Sequence, residues 1–146
     1  MRFLEFCSLV SNKRSIVDYL RTHGVLRSTC RCETCNRDLG TQAYNNSADG
    51  CVFRCSSCKK TKSLRIGSFL VDCRIPLDTF ACFVYLLNAD VLLKHIAFML
   101  DLHENTIVNY ANLIREERGR DLMEHGEMLG GPGARVQVNL TYFINY

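Results

Sequence analysis

An α+β fold with two dissimilar parts is what this chain encodes. A cysteine-bearing β-hairpin with a third strand comes first, and a helical unit follows. Three observations predict it: two Cys-x-x-Cys pairs in the first half, turn residues between short β-type runs, and helical spacing of apolar residues from Leu77 onward.

The pairs are Cys32-Glu-Thr-Cys35 and Cys55-Ser-Ser-Cys58, separated by nineteen residues. Each pair can bend into a knuckle that points two thiolates at a shared centre, and four such sulfurs suit one tetrahedral zinc ion. Between them, Gln42–Tyr44 and Cys51–Arg54 read as strands joined by the turn-rich Asn45–Gly50. This is a zinc ribbon, expected over about 28–74, with a last strand from Lys62 to Leu70. The zinc would be structural, because four thiolates leave no position for water or substrate. The nine cysteines also allow a disulfide framework, which requires an oxidising compartment. The first ten residues carry Glu5 within their apolar run and show no cleavage pattern, so a reducing compartment, nucleus or cytoplasm, is expected. Cys30 and Cys51 lie near the knuckles and compete as ligands. The set 32/35/55/58 is preferred because it alone gives two knuckles. Cys7, Cys73 and Cys82 read as small buried apolar residues.

Ahead of the ribbon, residues 11–23 read as a helix within a leading segment 1–27. Ser11 or Asn12 caps it, Ile16, Val17, Tyr19 and Leu20 form its apolar face, and Gly24 stops it. Behind the ribbon, residues 75–120 read as three helices. Pro76 opens Leu77–Asn88, with Phe80, Phe83, Val84 and Leu87 on its core face. Val91–Leu100 follows, with Val91, His95, Ile96 and Met99 or Leu100 on its buried side. After Asp101-Leu-His103 comes Glu104–Arg118, with Ile107, Tyr110, Ala111 and Ile114 facing inward. Two helices joined by a tight turn with a third behind make a helix-turn-helix pattern.

The net charge of +3 is unevenly spread: thirteen Lys/Arg stand against seven Asp/Glu in residues 1–80, and five against eight in 81–146. Basic residues gather around the second knuckle, at Arg54, Lys59, Lys60, Lys62 and Arg65. Lys59, Lys60, Lys62 and Arg65 are candidate phosphate contacts on double-stranded DNA, although a solvated edge would look the same. On the outer side of the last helix Asn105, Asn109 and Asn112 align, with Arg115 at their flank. An asparagine amide matches adenine N6 and N7 in the major groove. The longest apolar run, Phe80–Leu87, is too short to cross a membrane.

From Asp121 the sequence turns acidic and reads as a linker, through Gly130-Gly-Pro-Gly133, to a strand from Arg135. The order of parts resembles the N-terminal half of Merlin-type transposases, both eukaryotic and bacterial. The resemblance is carried by the leading helix, the ribbon, Ser63-Leu-Arg-Ile-Gly-Ser-Phe69, the helical unit ending in Ile114-Arg-Glu116, and the Gly-Gly-Pro-Gly strand. It implies that residues 121–146 are a linker and the first strand of a ribonuclease-H-like catalytic domain, where Asn139 stands in place of the first metal-binding Asp. A neutral amide does not bridge two divalent ions as a carboxylate does, so no catalytic activity is expected. It further implies recognition of an element's ends; self-association or pairing with a full-length transposase is a separate partner expectation. A protein-interaction module, an inhibitor of such a transposase, or a fragment without function are the alternative readings.

Overall fold

The computed structural model describes residues 1–125. The Gly-Gly-Pro-Gly break, the terminal strand and Asn139 lie outside the described residues. Among the described residues there are five helices and one three-stranded antiparallel sheet, in the order α1 (Phe3–Val10), α2 (Lys13–Thr22), β1 (Gly40–Ala43), β2 (Cys51–Arg54), β3 (Thr61–Lys62), α3 (Leu77–Asn88), α4 (Leu93–Leu100) and α5 (Glu104–His125). The chain divides into two compact units at Ala111 and Asn112, within α5.

The sequence did not single out α1, where only Glu5 and Ser8 interrupt a run of apolar residues. Glu5 closes its first turn by accepting the Arg2 N–H at 2.9 Å, and its one buried residue, Phe6, stacks on Tyr85 of α3 at 4.3 Å between ring centroids. The Asn12 side chain caps α2 by accepting from Arg14 N–H. Ile16, Val17 and Leu20 are buried, and Gly24 ends the helix at φ +72°, a left-handed conformation that suits glycine.

The sheet order is β1-β2-β3. Gly40 pairs with Arg54 and Ala43 with Cys51, while Phe53 and Arg54 pair with Lys62 and Thr61. Val52 and Phe53 on the central strand are buried. The third strand is far shorter than Lys62–Leu70. It ends at Lys62, and the chain then folds into successive turns, with Ser68 N–H on Arg65 O and Cys73 N–H on Leu70 O. The Ser63 and Ser68 hydroxyls accept the N–H groups two residues on, and Gly67 sits at φ +69°. These side-chain turns compete with a strand and win over the weak alternation of Leu64, Ile66 and Ser68.

Helix α3 begins and ends where the sequence placed it. Phe80 and Phe83 are buried on its core face, and the Tyr110 ring of α5 packs T-shaped with Phe80 at 6.0 Å and tilted with Phe83 at 6.2 Å between centroids. Helix α4 starts at Leu93, not Val91, because Asp90 at φ 56° ends α3 and Leu92 is extended. Its buried pair is Ile96 and Ala97; His95, expected on the buried side, is exposed, and of the alternatives Met99 is exposed and Leu100 half-buried. Eight residues that are apolar nearly all round do not define a face by period. Asp101 follows in the left-handed conformation, and Leu102 N–H closes on Ala97 O at 3.0 Å, a Schellman-type stop. His103 starts α5 by accepting the Asn105 N–H through Nδ1. In α5, Ile107, Ala111 and Ile114 are buried and Tyr110 is half-buried. The helix continues past Arg118 to His125, where a loose linker was expected from Asp121. Pairs at helical spacing, Arg120 with Glu117 and His125 with Asp121, support that extension.

Candidate metal centre

Two loops of the same design carry the four cysteines. In the first, Cys32 N–H donates to Arg37 O at 2.9 Å and Asn36 N–H donates to Cys32 O at 2.9 Å. In the second, Cys55 N–H donates to Lys60 O at 2.9 Å and Lys59 N–H donates to Cys55 O at 3.1 Å. Each loop needs a left-handed residue just after its second cysteine: Asn36 at φ 53° and Lys59 at φ 61°. Asparagine tolerates that conformation, whereas for lysine the loop must enforce it.

The loops bring the Sγ atoms of Cys32, Cys35, Cys55 and Cys58 to within 4.8 Å of one another. Cys32 Sγ lies 3.3 Å from Cys58 Sγ, and Cys35 Sγ lies 3.4 Å from Cys55 Sγ. A tetrahedral tetrathiolate with metal–sulfur bonds of about 2.3 Å has sulfur–sulfur edges of about 3.8 Å. Four sulfurs at these separations, with Cys32 and Cys55 buried, fit one tetrahedral metal ion. All four are free thiols.

The backbone prepares these sulfurs unequally. The N–H groups of Cys35 and Thr34, with the Cys58 sulfur, lower the Cys32 thiol to about 6. Cys58 N–H and Ser57 N–H lower Cys55 in the same way. At Cys35 the Arg37 N–H lowers the thiol, but the Cys55 sulfur, burial and Cys32 outweigh it and push it up to about 11. At Cys58 the Lys60 N–H is likewise outweighed by the Cys32 and Cys55 sulfurs. The first cysteine of each knuckle thus ionises early and the second holds its proton. A dication at the centre removes that conflict, since metal-bound sulfur is deprotonated.

Cys30 and Cys51 stand outside the cluster. Cys30 Sγ faces Arg31 O at 3.7 Å, and Cys51 Sγ faces Asp49 O at 3.6 Å. Burial pushes the Cys51 thiol up. Cys73 is buried, whereas Cys7 and Cys82 are half-buried.

The basic residues expected on one rim are split up. Lys59 and Lys60 are exposed, and Lys59 Nζ donates to Ser56 O at 2.7 Å. Lys62 is paired with Glu33 at 2.5 Å, which holds the Glu33 carboxyl below its usual range. Arg65 is not on the rim. It is only 4% exposed and lies against Asp49, itself 6% exposed. Its Nε donates to Asp49 Oδ2 at 2.8 Å, its Nη2 to Asp49 Oδ1 and to Ile75 O, and its Nη1 to Cys73 O. With every nitrogen engaged, this side chain has nothing left for a phosphate. It ties the tip of the hairpin to the segment that leads into α3. Between those two carbonyls, Arg74 N–H donates to Tyr110 Oη at 3.3 Å, so the same segment also touches α5. Sequence reading missed this pair; a charged residue flanked by Leu64 and Ile66 in a turn-rich stretch was its one signal.

On α5, Asn105, Asn109 and Asn112 are exposed. Asn112 Oδ1 accepts from Arg115 Nη1 at 3.0 Å.

No family model matches the chain, and no solved structure matches it. The chain is similar to the male abnormal protein mab-31 of Caenorhabditis elegans, at 31% identity over 90 residues, which is 55% of this chain and 20% of that protein. It therefore spans about a fifth of the length of the curated relative it matches.

Proposed function

We propose that this chain is a zinc-dependent, non-catalytic protein that binds double-stranded DNA in the nucleus and descends from the N-terminal half of a Merlin-type transposase. Zinc is the metal that four thiolates in tetrahedral array favour. Its part is to hold the knuckles and sheet in one shape, because the segment between them has too little apolar surface to fold alone. The absence of catalysis rests on Asn139, at the position that the transposase resemblance gives to a carboxylate.

One observation carries the DNA reading. Helix α5 follows α4 through a left-handed turn at Asp101, and its first two turns present exposed Asn105 and Asn109 opposite buried Ile107 and Ala111. This is the arrangement by which the second helix of a helix-turn-helix unit enters the major groove. Fluorescence anisotropy on a labelled duplex across a salt series, with and without chelator, tests it. Binding that weakens with salt and vanishes on zinc removal is expected; absent or salt-independent binding by the zinc-loaded protein overturns it.

A second reading has its own support. Phe98 on α4 is 88% exposed, with Leu92 and Met99 also exposed, an apolar surface of the kind protein partners cover. On this reading the chain pairs with itself or with a full-length transposase. Recovery of protein partners without DNA favours it over the first.

A further inference from the structure

Beside the second knuckle an open groove of about 450 Å³ runs along β1, lined by Thr41, Gln42, Arg54, Cys55, Ser56 and Lys59 with the backbone of Gly40. We infer that this groove seats a phosphodiester of the DNA backbone, with Arg54 and Lys59 as its charge contacts. The inference rests on the DNA reading above and goes further, by assigning a defined face of the sheet to the duplex.

Charge balance selects this groove. No carboxylate lines it, and neither Arg54 nor Lys59 enters an ion pair among the described residues. A groove of similar size beside the first knuckle contains Arg27, Arg31, Lys62 and Glu33. There Lys62 is matched by Glu33 at 2.5 Å and Arg31 by Asp38 at 3.7 Å. A polyanion meets two cations without a carboxylate partner in the first groove, whereas in the second two of the three cations are paired with carboxylates.

Both cations are also held in place, which lowers the ordering cost of a contact. Arg54 lies on β2, its Nη1 donates to Gln42 Oε1 at 3.3 Å across the strand pair, and its Nε is buried without a partner. What it offers a ligand is the Nη end, which matches phosphate oxygens. Lys59 is fixed by the knuckle's backbone bonds and by Ser56 O. The Thr41 and Ser56 hydroxyls and the Gln42 amide supply neutral donors nearby. A competing role for the two cations is to offset the formal −2 of a zinc tetrathiolate, so zinc retention must be measured alongside DNA binding.

The experiment uses the full zinc-loaded chain and a fluorescein-labelled random-sequence duplex, with affinity measured across a potassium chloride series. Each phosphate contact contributes about 0.9 to the slope of log affinity against log salt. Arg54→Gln and Lys59→Gln should each flatten the slope by about that amount, and Arg54→Lys should restore most of it. Lys62→Gln, which removes a cation already paired with Glu33, should leave the slope unchanged. Zinc content and chelator resistance should match the parent throughout. If the parent binds and Arg54→Gln and Lys59→Gln keep its slope, the groove assignment is overturned and the DNA reading stands. The assignment is equally overturned if those variants lose zinc more readily while duplex binding is unchanged. If the parent itself does not bind, the DNA reading falls and the groove assignment falls with it.

Discussion

Arg65 and the cysteines show how differently single residues announce themselves. A buried charge that loses its partner cannot be rescued by water. Arg65→Ala leaves Asp49 unpaired in the interior and frees the carbonyls of Cys73 and Ile75, so it should cost about 3–5 kcal/mol in urea unfolding. Replacing both partners, Arg65→Met with Asp49→Leu, should recover most of that loss. At the centre, Cys32→Ser or Cys58→Ser should abolish tight metal binding, whereas Cys30→Ser and Cys51→Ser should each keep one ion per chain by metal analysis. Loading should also release protons. At pH 7.5 the Cys32 thiol, at about 6, is already ionised, while Cys35, at about 11, and Cys58, raised from its ordinary value, still hold theirs. Zinc binding should therefore expel two or more protons, read by titration calorimetry in buffers of different ionisation enthalpy. Acidification should weaken binding, because protons then compete for every sulfur.

Helix ends carry the next set of consequences. Both α3 and α4 stop at an aspartate in the left-handed conformation, Asp90 at φ 56° and Asp101 at φ 52°. Glycine adopts that conformation without strain and a β-branched residue does not. Asp101→Gly should hold or raise the thermal midpoint, and Asp101→Val should lower stability by more than 1 kcal/mol, roughly the cost of a left-handed non-glycine residue. Elements with strong local punctuation were legible in the sequence. Pro76 and the spacing of Phe80 and Phe83 fixed α3 at both ends, and Asn12 and Gly24 framed α2. Elements without it were not. Helix α1 has only Glu5 and Ser8 as polar residues and α4 only Lys94 and His95, too few to mark a face, so α1 went unread and His95 was assigned inward where it is exposed. The supposed strand Lys62–Leu70 failed because serine hydroxyls and Gly67 build turns there, an effect invisible to a two-residue period.

At the level of the whole molecule, the convergence of the four cysteines was readable and the contact between hairpin tip and later turn was not. Cysteine spacing names a ligand set because chain geometry alone brings i and i+3 together in a knuckle. The pairing of Asp49 with Arg65 joins residues from a hairpin tip and a later turn, and no local pattern encodes it. Through that pair an ion held by the four cysteines would act beyond its own loops. The hairpin tip is fixed by the sheet, Arg65 fixes the tip to residues 73–75, and those residues meet Tyr110. Loss of metal should therefore unfold the ribbon and loosen the packing of Tyr110 on Phe80 and Phe83, seen as a drop in near-ultraviolet circular dichroism while much of the helical signal remains. The most direct test of the account is bound zinc per chain in natively purified protein, measured together with folding after chelation. One zinc per chain, with loss of tertiary structure when it is stripped and recovery when it is returned, is the predicted result. A metal-free protein with its tertiary structure intact would contradict it.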